Sequence, residues 1–298
     1  MAGLAGEYIL PVRNASHVVG VPYIVTEVAE CGSVATRIKP GVGVPVEQAI
    51  RWGRHACRGV ARLHDLRLVH NDLKPDNLFL NARLDALVGD FGLAAMMDAE
   101  GKAAFGGTPL TMAPEVAAVG TEDRSTWASA SPASMRSDIY SLGATLFWML
   151  AGEPPYSPEG GPLATMMAVA TTDPRNLKIL APHVPAGLLR IVRKAMHRDP
   201  AQRYTSAAEM DAALGRFSFS SRIWNRFTPH SGHLMCFEGI RGNSRISVCA
   251  AVVDTTGVES FEIQVRHVIS GRRAQQPWAR CSRQAVASEV RKAIESSS

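Results

Sequence analysis

The chain has 298 residues, 46% hydrophobic and 20% charged, with a formal net charge of +5. At about 150 residues per domain, this length makes two domains, or one with a sizeable appendage, each long enough to bury a core. A mean hydropathy near zero excludes a disordered or membrane-embedded chain, and the longest nearly apolar run, Ile139 to Ala151, is too short to span a bilayer.

The opening MAGLAGEYILPV lacks the basic start and long apolar stretch of a secretory signal. Cys31, Cys57, Cys236, Cys249 and Cys281 are odd in number and form no CxxC pair, so a soluble protein of the reducing cytoplasm is expected. Residues 20–28, GVPYIVTEV, alternate apolar side chains and predict a strand after a hairpin at Asn14–Gly20. The chain then bends at Cys31-Gly32-Ser33. From Val46 to His64 the apolar positions recur at helical spacing and predict a buried amphipathic helix. Two short β-like runs follow, Leu78–Leu80 and Leu87–Gly89. Ser137–Ala151 is apolar almost all round, which suits a helix inside a helical lobe, and Pro185–Met196 and Ser206–Leu214 continue the helical pattern.

Periodicity is lost after Arg216, in FSFSSRIWNRFTPHSGH, which places a boundary there and a linker over 217–232. Beyond it, Leu234–Ile240, Ile246–Val252 and Glu262–Val268 read as strands and Ser282–Ile294 as a helix, making residues 233–298 a small α+β unit.

The chemistry lies in residues 26–115. Val69-His70-Asn71-Asp72-Leu73-Lys74-Pro75-Asp76-Asn77 joins the long helix to the short strand pair, and Asp90-Phe91-Gly92 begins 18 residues after Asp72. Two aspartates and an asparagine therefore meet at one loop-lined cleft. Phosphoryl transfer needs such a set: a carboxylate to orient the attacking hydroxyl, a cation for the transferred group, and oxygen ligands for magnesium. Gly107-Thr108-Pro109-Leu110-Thr111-Met112-Ala113-Pro114-Glu115 follows.

In this order of catalytic loop, magnesium loop and Ala-Pro-Glu motif, residues 1–216 resemble the eukaryotic-type protein kinases. The resemblance implies an α+β protein-kinase-like fold, with residues 1–29 a partial N-lobe and hinge and residues 30–216 a mostly helical C-lobe. It implies Asp72 as catalytic base, Lys74 steadying the γ-phosphate, and Asn77 and Asp90 as magnesium ligands. Phe91 would pack beneath the helix that positions the catalytic lysine, and His70 would brace the loop. Thr26 becomes the gatekeeper, the backbones of Glu27 and Ala29 face adenine, and Phe79 forms the floor under the base. Thr108 contacts Asp72 and Lys74, Asp138 holds the catalytic-loop backbone, and Arg203 is the buried partner of Glu115. Lysine two residues after the aspartate, with Gly107-Thr108, resembles the serine/threonine branch. ATP and magnesium are the implied cofactors, and a protein hydroxyl the implied substrate.

The sequence departs from the family in three ways. No lysine precedes Lys39, which lies beyond the hinge, and no Gly-rich phosphate loop or first-helix glutamate stands ahead of the strand near residue 20. MAGLAGEYILPV reads as the end of a helix entering a strand, so the natural protein is expected to start upstream, with Met1 internal. Asn71 stands where the family usually has an arginine that grips an activation-loop phosphate, and Leu93–Gly107 contains no Ser, Thr or Tyr. Activity is therefore expected not to require phosphorylation there, Thr108 and Thr111 being the only candidates within residues 93–115. Two other readings remain beside the kinase: a catalytically dead pseudokinase scaffold, and a regulatory module whose tail recognises a partner.

The tail from 217 to 298 holds 11 Lys+Arg against 6 Asp+Glu, which accounts for the net charge. An excess this small does not establish nucleic-acid binding, and a solvated basic face is the plainer account. The basic tip Ser270-Gly271-Arg272-Arg273, after Arg266 and His267, is suited to an acidic partner, the parent lobe or nucleic acid, or simply to solvation. His230-x2-His233-x2-Cys236 with Cys249 offers four metal-capable side chains at a spacing unlike the standard zinc patterns, and capping histidines with buried thiols are the alternative.

Overall fold

The computed structural model describes residues 6–122, 124–127, 129–219, 222–255, 258–274 and 278–298. Two antiparallel strands, β1 (Val12–Val18) and β2 (Val21–Thr26), lead in and turn at Val19-Gly20, both with positive φ. The predicted hairpin at Asn14–Gly20 is thus mostly strand: Asn14, Ser16 and His17 are polar because β1 is exposed along nearly its whole length, not because they form the turn. A two-residue loop with positive φ matches the twist of the paired strands.

The 20-residue helix α1 (Val46–Asp65) is the axis of the larger lobe. Its buried Val46, Ala49, Trp52, Ala56, Cys57, Val60 and Leu63 follow the 3.6-residue period. Gly59 is required where α1 crosses the strands, since a Cβ there would lie 2.5 Å from the Tyr8 carbonyl oxygen and 2.7 Å from Val88 Cγ2. After α1 come β3 (Leu68–Val69), β4 (Leu78–Leu80), β5 (Ala86–Val88), β6 (Ala95–Met96) and β7 (Lys102–Ala103). β4 pairs with β5, β3 with β6, and β7 with β8 (Ala133–Ser134).

Helices α2 (Pro114–Gly120) and α3 (Arg124–Trp127) precede β8, and α4 (Met135–Ala151), α5 (Gly161–Thr171), α6 (Leu177–Leu180), α7 (Ala186–Ala195) and α8 (Ala207–Arg216) follow it. α4 starts at a capping box between Ser134 and Ser137 and ends at Gly152 in the left-handed conformation. It is buried on nearly every side, packing against α1 and α7, as its unbroken apolar run predicts.

The remaining elements are β9 (Ile223–Phe227), β10 (His233–Arg241), β11 (Ser244–Thr255), β12 (Val258–His267), β13 (Ala279–Ser282) and α9 (Val286–Ser296). They form one antiparallel sheet in the order β13-β12-β11-β10-β9, with α9 on one face and a hydrophobic core of its own around Phe237, Val248, Phe261 and Val290. The stretch expected as a linker therefore contributes a strand, and the sheet begins at Ile223, not at 233. Its pairing partner β10 decides this, because the mixed pattern of Ile223–Phe227 carries no clear period by itself. The basic tip expected at 270–273 folds on itself: Arg266 and Arg273 lie over the Trp278 ring at 4.6 and 3.8 Å.

The sheet docks on the lobe through the end of α6 and the segment after it. Arg226 donates to the Leu180 carbonyl at 3.0 Å, buried Arg291 to those of Pro182 and Val184 at 3.2 and 3.1 Å, and the His183 ring packs on Phe237 at 5.2 Å. Asn225 Oδ1 accepts from the Val46 amide at 3.0 Å, so the tail caps the long helix at its open N-terminus.

Candidate active site

The loop between β3 and β4 is held from below by one carboxylate. Asp138, on α4 and 1% exposed, accepts from the His70 amide and the His64 ring through Oδ2, both at 2.8 Å, and from the Asn71 amide through Oδ1 at 3.0 Å. Its capped helix fixes the carboxylate, and the carboxylate fixes a backbone that at Asn71 runs at φ +68. His70 Nδ1 accepts from the Asp72 amide at 3.2 Å, so Nε2 carries the proton and donates to the Gly89 carbonyl at 3.0 Å. That imidazole couples the loop of Asp72 to the loop of Asp90, and Phe91 packs beside it at 5.6 Å.

Above this support, the Asp72 carboxylate is engaged on both oxygens. Thr108 Oγ1 donates to Oδ1 at 2.5 Å, while Lys74 Nζ and Asn77 Nδ2 donate to Oδ2 at 2.7 and 2.9 Å. Lys74 also reaches Thr108 Oγ1 at 2.8 Å, closing a three-residue ring. Burial alone would raise the Asp72 carboxyl, but the hydrogen bonds from Lys74 and Thr108, the ammonium charge and the Asn77 amide outweigh it and hold the group below its ordinary value. It is therefore an ionised acceptor at neutral pH.

Asn77 spends its amide hydrogens on the Asp72 carbonyl at 2.8 Å and the Asp72 carboxylate. Its carbonyl Oδ1 has no hydrogen-bond donor among the described residues. The Gly89 amide donates to the backbone carbonyl of Asn77 at 3.0 Å, which ties exposed Asp90, at φ +58, to the same end of the β4–β5 hairpin. One amide oxygen and one carboxylate are hard ligands of the kind magnesium takes, and the donor set fits that ion.

On the hinge side, the Glu27 amide bonds to the Pro11 carbonyl at 3.0 Å, and the Gly32 amide to the Ala29 carbonyl at 3.1 Å. The Glu27 carbonyl and Ala29 amide have no protein partner among the described residues, an acceptor and a donor two positions apart. Thr26, half-buried, ends β2 just before them, and Phe79, also half-buried, lies against the Gly89 backbone and bridges to Ser33. A cleft lined by Glu27–Glu30, Ile9–Pro11 and Asn81–Arg83 opens on the hinge but includes neither Asp72 nor Asp90.

Two residues matter here that the sequence reading did not single out for this work. Asn71, read only as a lost arginine, donates through Nδ2 to the carbonyls of Leu93 at 3.0 Å and Ala104 at 3.2 Å, fastening both limbs of the activation segment. Gly107, at φ +125, has its Cα where an added Cβ would lie 2.6 Å from the Asn71 carbonyl oxygen, so only glycine lets Thr108 approach Asp72. The glycine was visible in the sequence; its closeness to Asn71 was not. Downstream, Arg203, its side chain fully buried, makes a two-pronged ion pair with Glu115 at 2.8 and 2.7 Å.

The sequence profile described as protein kinase domain matches residues 1–214. The chain belongs to the protein kinase family. It is 32% identical over 200 residues to "Serine/threonine-protein kinase PknB" of Mycobacterium leprae, covering 66% of this chain and 30% of that protein. It is 31% identical over 215 residues to "Inactive serine/threonine-protein kinase PLK5" of Mus musculus, covering 71% of this chain and 33% of that protein. To "Serine/threonine-protein kinase dst2" of Dictyostelium discoideum it is 32% identical over 187 residues, covering 62% and 16%. The chain thus spans about a third of the length of the first two relatives. No described helix is long and apolar enough to cross a membrane.

Proposed function

We propose that this chain carries the catalytic lobe of a serine/threonine protein kinase that transfers the γ-phosphate of ATP to a protein hydroxyl in the cytoplasm. The observation that carries the reading is the ring of Asp72, Lys74 and Thr108, which sets an ionised carboxylate beside an ammonium with a hydroxyl locking the two. Asp72 would accept the hydrogen bond of the incoming hydroxyl and orient it; Lys74 would meet charge on the transferred group. Asn77 Oδ1 and the Asp90 carboxylate would hold magnesium, which when bound with ATP neutralises phosphate charge. The unpaired Glu27 carbonyl and Ala29 amide would take the adenine edge, with Thr26 behind it and Phe79 beneath. The five cysteines, all free, agree with a reducing compartment.

The test is transfer of labelled phosphate from Mg-ATP to a general protein substrate, by the protein and by Asp72→Asn. The substitution is expected to cut transfer by about 10²–10⁴-fold, the usual weight of a positioned base, while leaving Mg-ATP affinity unchanged. Undiminished transfer by the variant would sink the assignment.

A second reading, a pseudokinase scaffold, is favoured by one observation: the chain is 31% identical over 215 residues to a relative whose name describes it as an inactive serine/threonine-protein kinase. Mg-ATP binding by the natural protein with no transfer to any substrate would select it.

A further inference from the structure

His230, His233, Cys236 and Cys249 converge at one end of the five-stranded sheet. Cys236 and Cys249 are direct partners across β10 and β11. His233 and Cys236 are three apart on one strand, a spacing that puts side chains on opposite faces, but the register shifts between His233 and Met235. That bulge turns His233 to the face of Cys236. The turn into β10, closed by the His233 amide on the His230 carbonyl at 3.0 Å, brings the fourth side chain over the same spot.

The four ligand atoms all lie within 4.8 Å of one another. His233 Nδ1 is 3.3 Å from Cys236 Sγ, and His230 Nδ1 is 3.5 Å from it. Zinc bonds of about 2.3 Å to sulfur and about 2.0 Å to nitrogen place tetrahedral ligand atoms about 3.3–3.8 Å apart. Hydrogen bonding alone would need at least one of the two imidazoles to carry its proton on Nδ1, since both aim that atom at one sulfur and a thiol has a single hydrogen to give. A cation at the centre satisfies all four groups at once.

The geometry points to a structural zinc site with His230 Nδ1, His233 Nδ1, Cys236 Sγ and Cys249 Sγ as its ligands. Two sulfurs and two nitrogens in tetrahedral array select zinc over the oxygen-seeking magnesium and calcium. Four protein ligands leave no open position, so the ion binds and does not catalyse. Each thiol releases its proton to solvent on coordination. The ion would pin the β9–β10 turn to β11, and with it Arg226 and Phe237, which meet the lobe at Leu180 and His183.

The full chain, purified without chelator, is expected to hold about one zinc per molecule by elemental analysis. Stripped and given cobalt(II), it should show the visible bands of a tetrahedral site with thiolate-to-cobalt charge transfer. His230→Gln, at an exposed position, and Cys249→Ser should lose the zinc, and Cys281→Ser should keep it. A metal-free chain that gives no tetrahedral cobalt spectrum would overturn the site. So would stoichiometric zinc retained by His230→Gln and Cys249→Ser, or another metal in its place.

Discussion

Asn71 Nδ2 donates to the Leu93 carbonyl at 3.0 Å, joining the catalytic loop to the start of the activation segment where the family usually places a phosphate-gripping arginine. The same nitrogen reaches Ala104 at 3.2 Å, β6 pairs with β3, and β7 pairs with β8, so the segment is tied along its length by neutral contacts. Of the two hydroxyls within residues 93–115, Thr108 is bonded to Asp72 and Lys74, and Thr111 is 2% exposed. Phosphate transfer is therefore expected to survive phosphatase treatment unchanged. Asn71→Leu, which strands two carbonyls at about 1–3 kcal/mol, should lower it about tenfold. Mapping an activating phosphate within residues 93–115 would contradict this.

Gly107 supplies the second prediction. Gly107→Ala sets a Cβ against the Asn71 carbonyl at a φ that side chains rarely adopt, a cost of about 1–3 kcal/mol. The strain falls on the peptide that delivers Thr108, so the rate of transfer at a temperature well below the melt should drop, while the melting temperature of the lobe falls by only about 2–4 °C per kcal/mol of strain and leaves the protein folded in the assay. Steady-state kinetics beside a thermal melt separates the two, and an unchanged rate would show that the Thr108–Asp72 bond is not needed.

Asp72, Asn77, Asp90 and Asp138 were legible in the sequence because the order and spacing of their motifs resemble the protein kinases, and Asp72 and Asn77 share one short loop between a long amphipathic helix and a β-pair. The Asn71 and Gly107 contacts were not, since each joins segments more than 20 residues apart through backbone atoms, which have no sequence signature. β9 was hidden for a related reason: an edge strand half-buried on both faces shows no alternation. The tail's docking was missed because the visible basic cluster, Arg266 to Arg273, folds onto Trp278, whereas the residues that dock, Arg226 and Arg291, lie outside that cluster.

The docking contacts carry a third prediction. Asn225 caps α1 from 179 residues away, and loss of a helix cap costs about 1 kcal/mol. Asn225→Ala should lower the melting temperature of the whole chain and loosen the start of α1. Hydrogen exchange at Val46 and its neighbours should quicken in that variant, and protection equal to the parent's would mean that the tail does not cap the helix.

Acid should weaken the same interface. Burial, helped by the nearby charges of Arg226 and Arg291, pushes His183 from 6.5 down to about 3, and His55 is likewise held down to about 4, chiefly by burial. Between those folded values and 6.5 the unfolded chain binds protons that the folded chain refuses, so stability is lost as pH falls below 6.5. For His183 alone the loss from pH 7 to pH 5 is about 2 kcal/mol. His183 Nδ1 also has no hydrogen-bond partner among the described residues, and its ring already packs on Phe237, so His183→Phe keeps the packing and removes the titration. Denaturant unfolding at pH 7 and pH 5 should therefore show a smaller gap in His183→Phe than in the parent. An equal gap would place the acid sensitivity elsewhere in the chain.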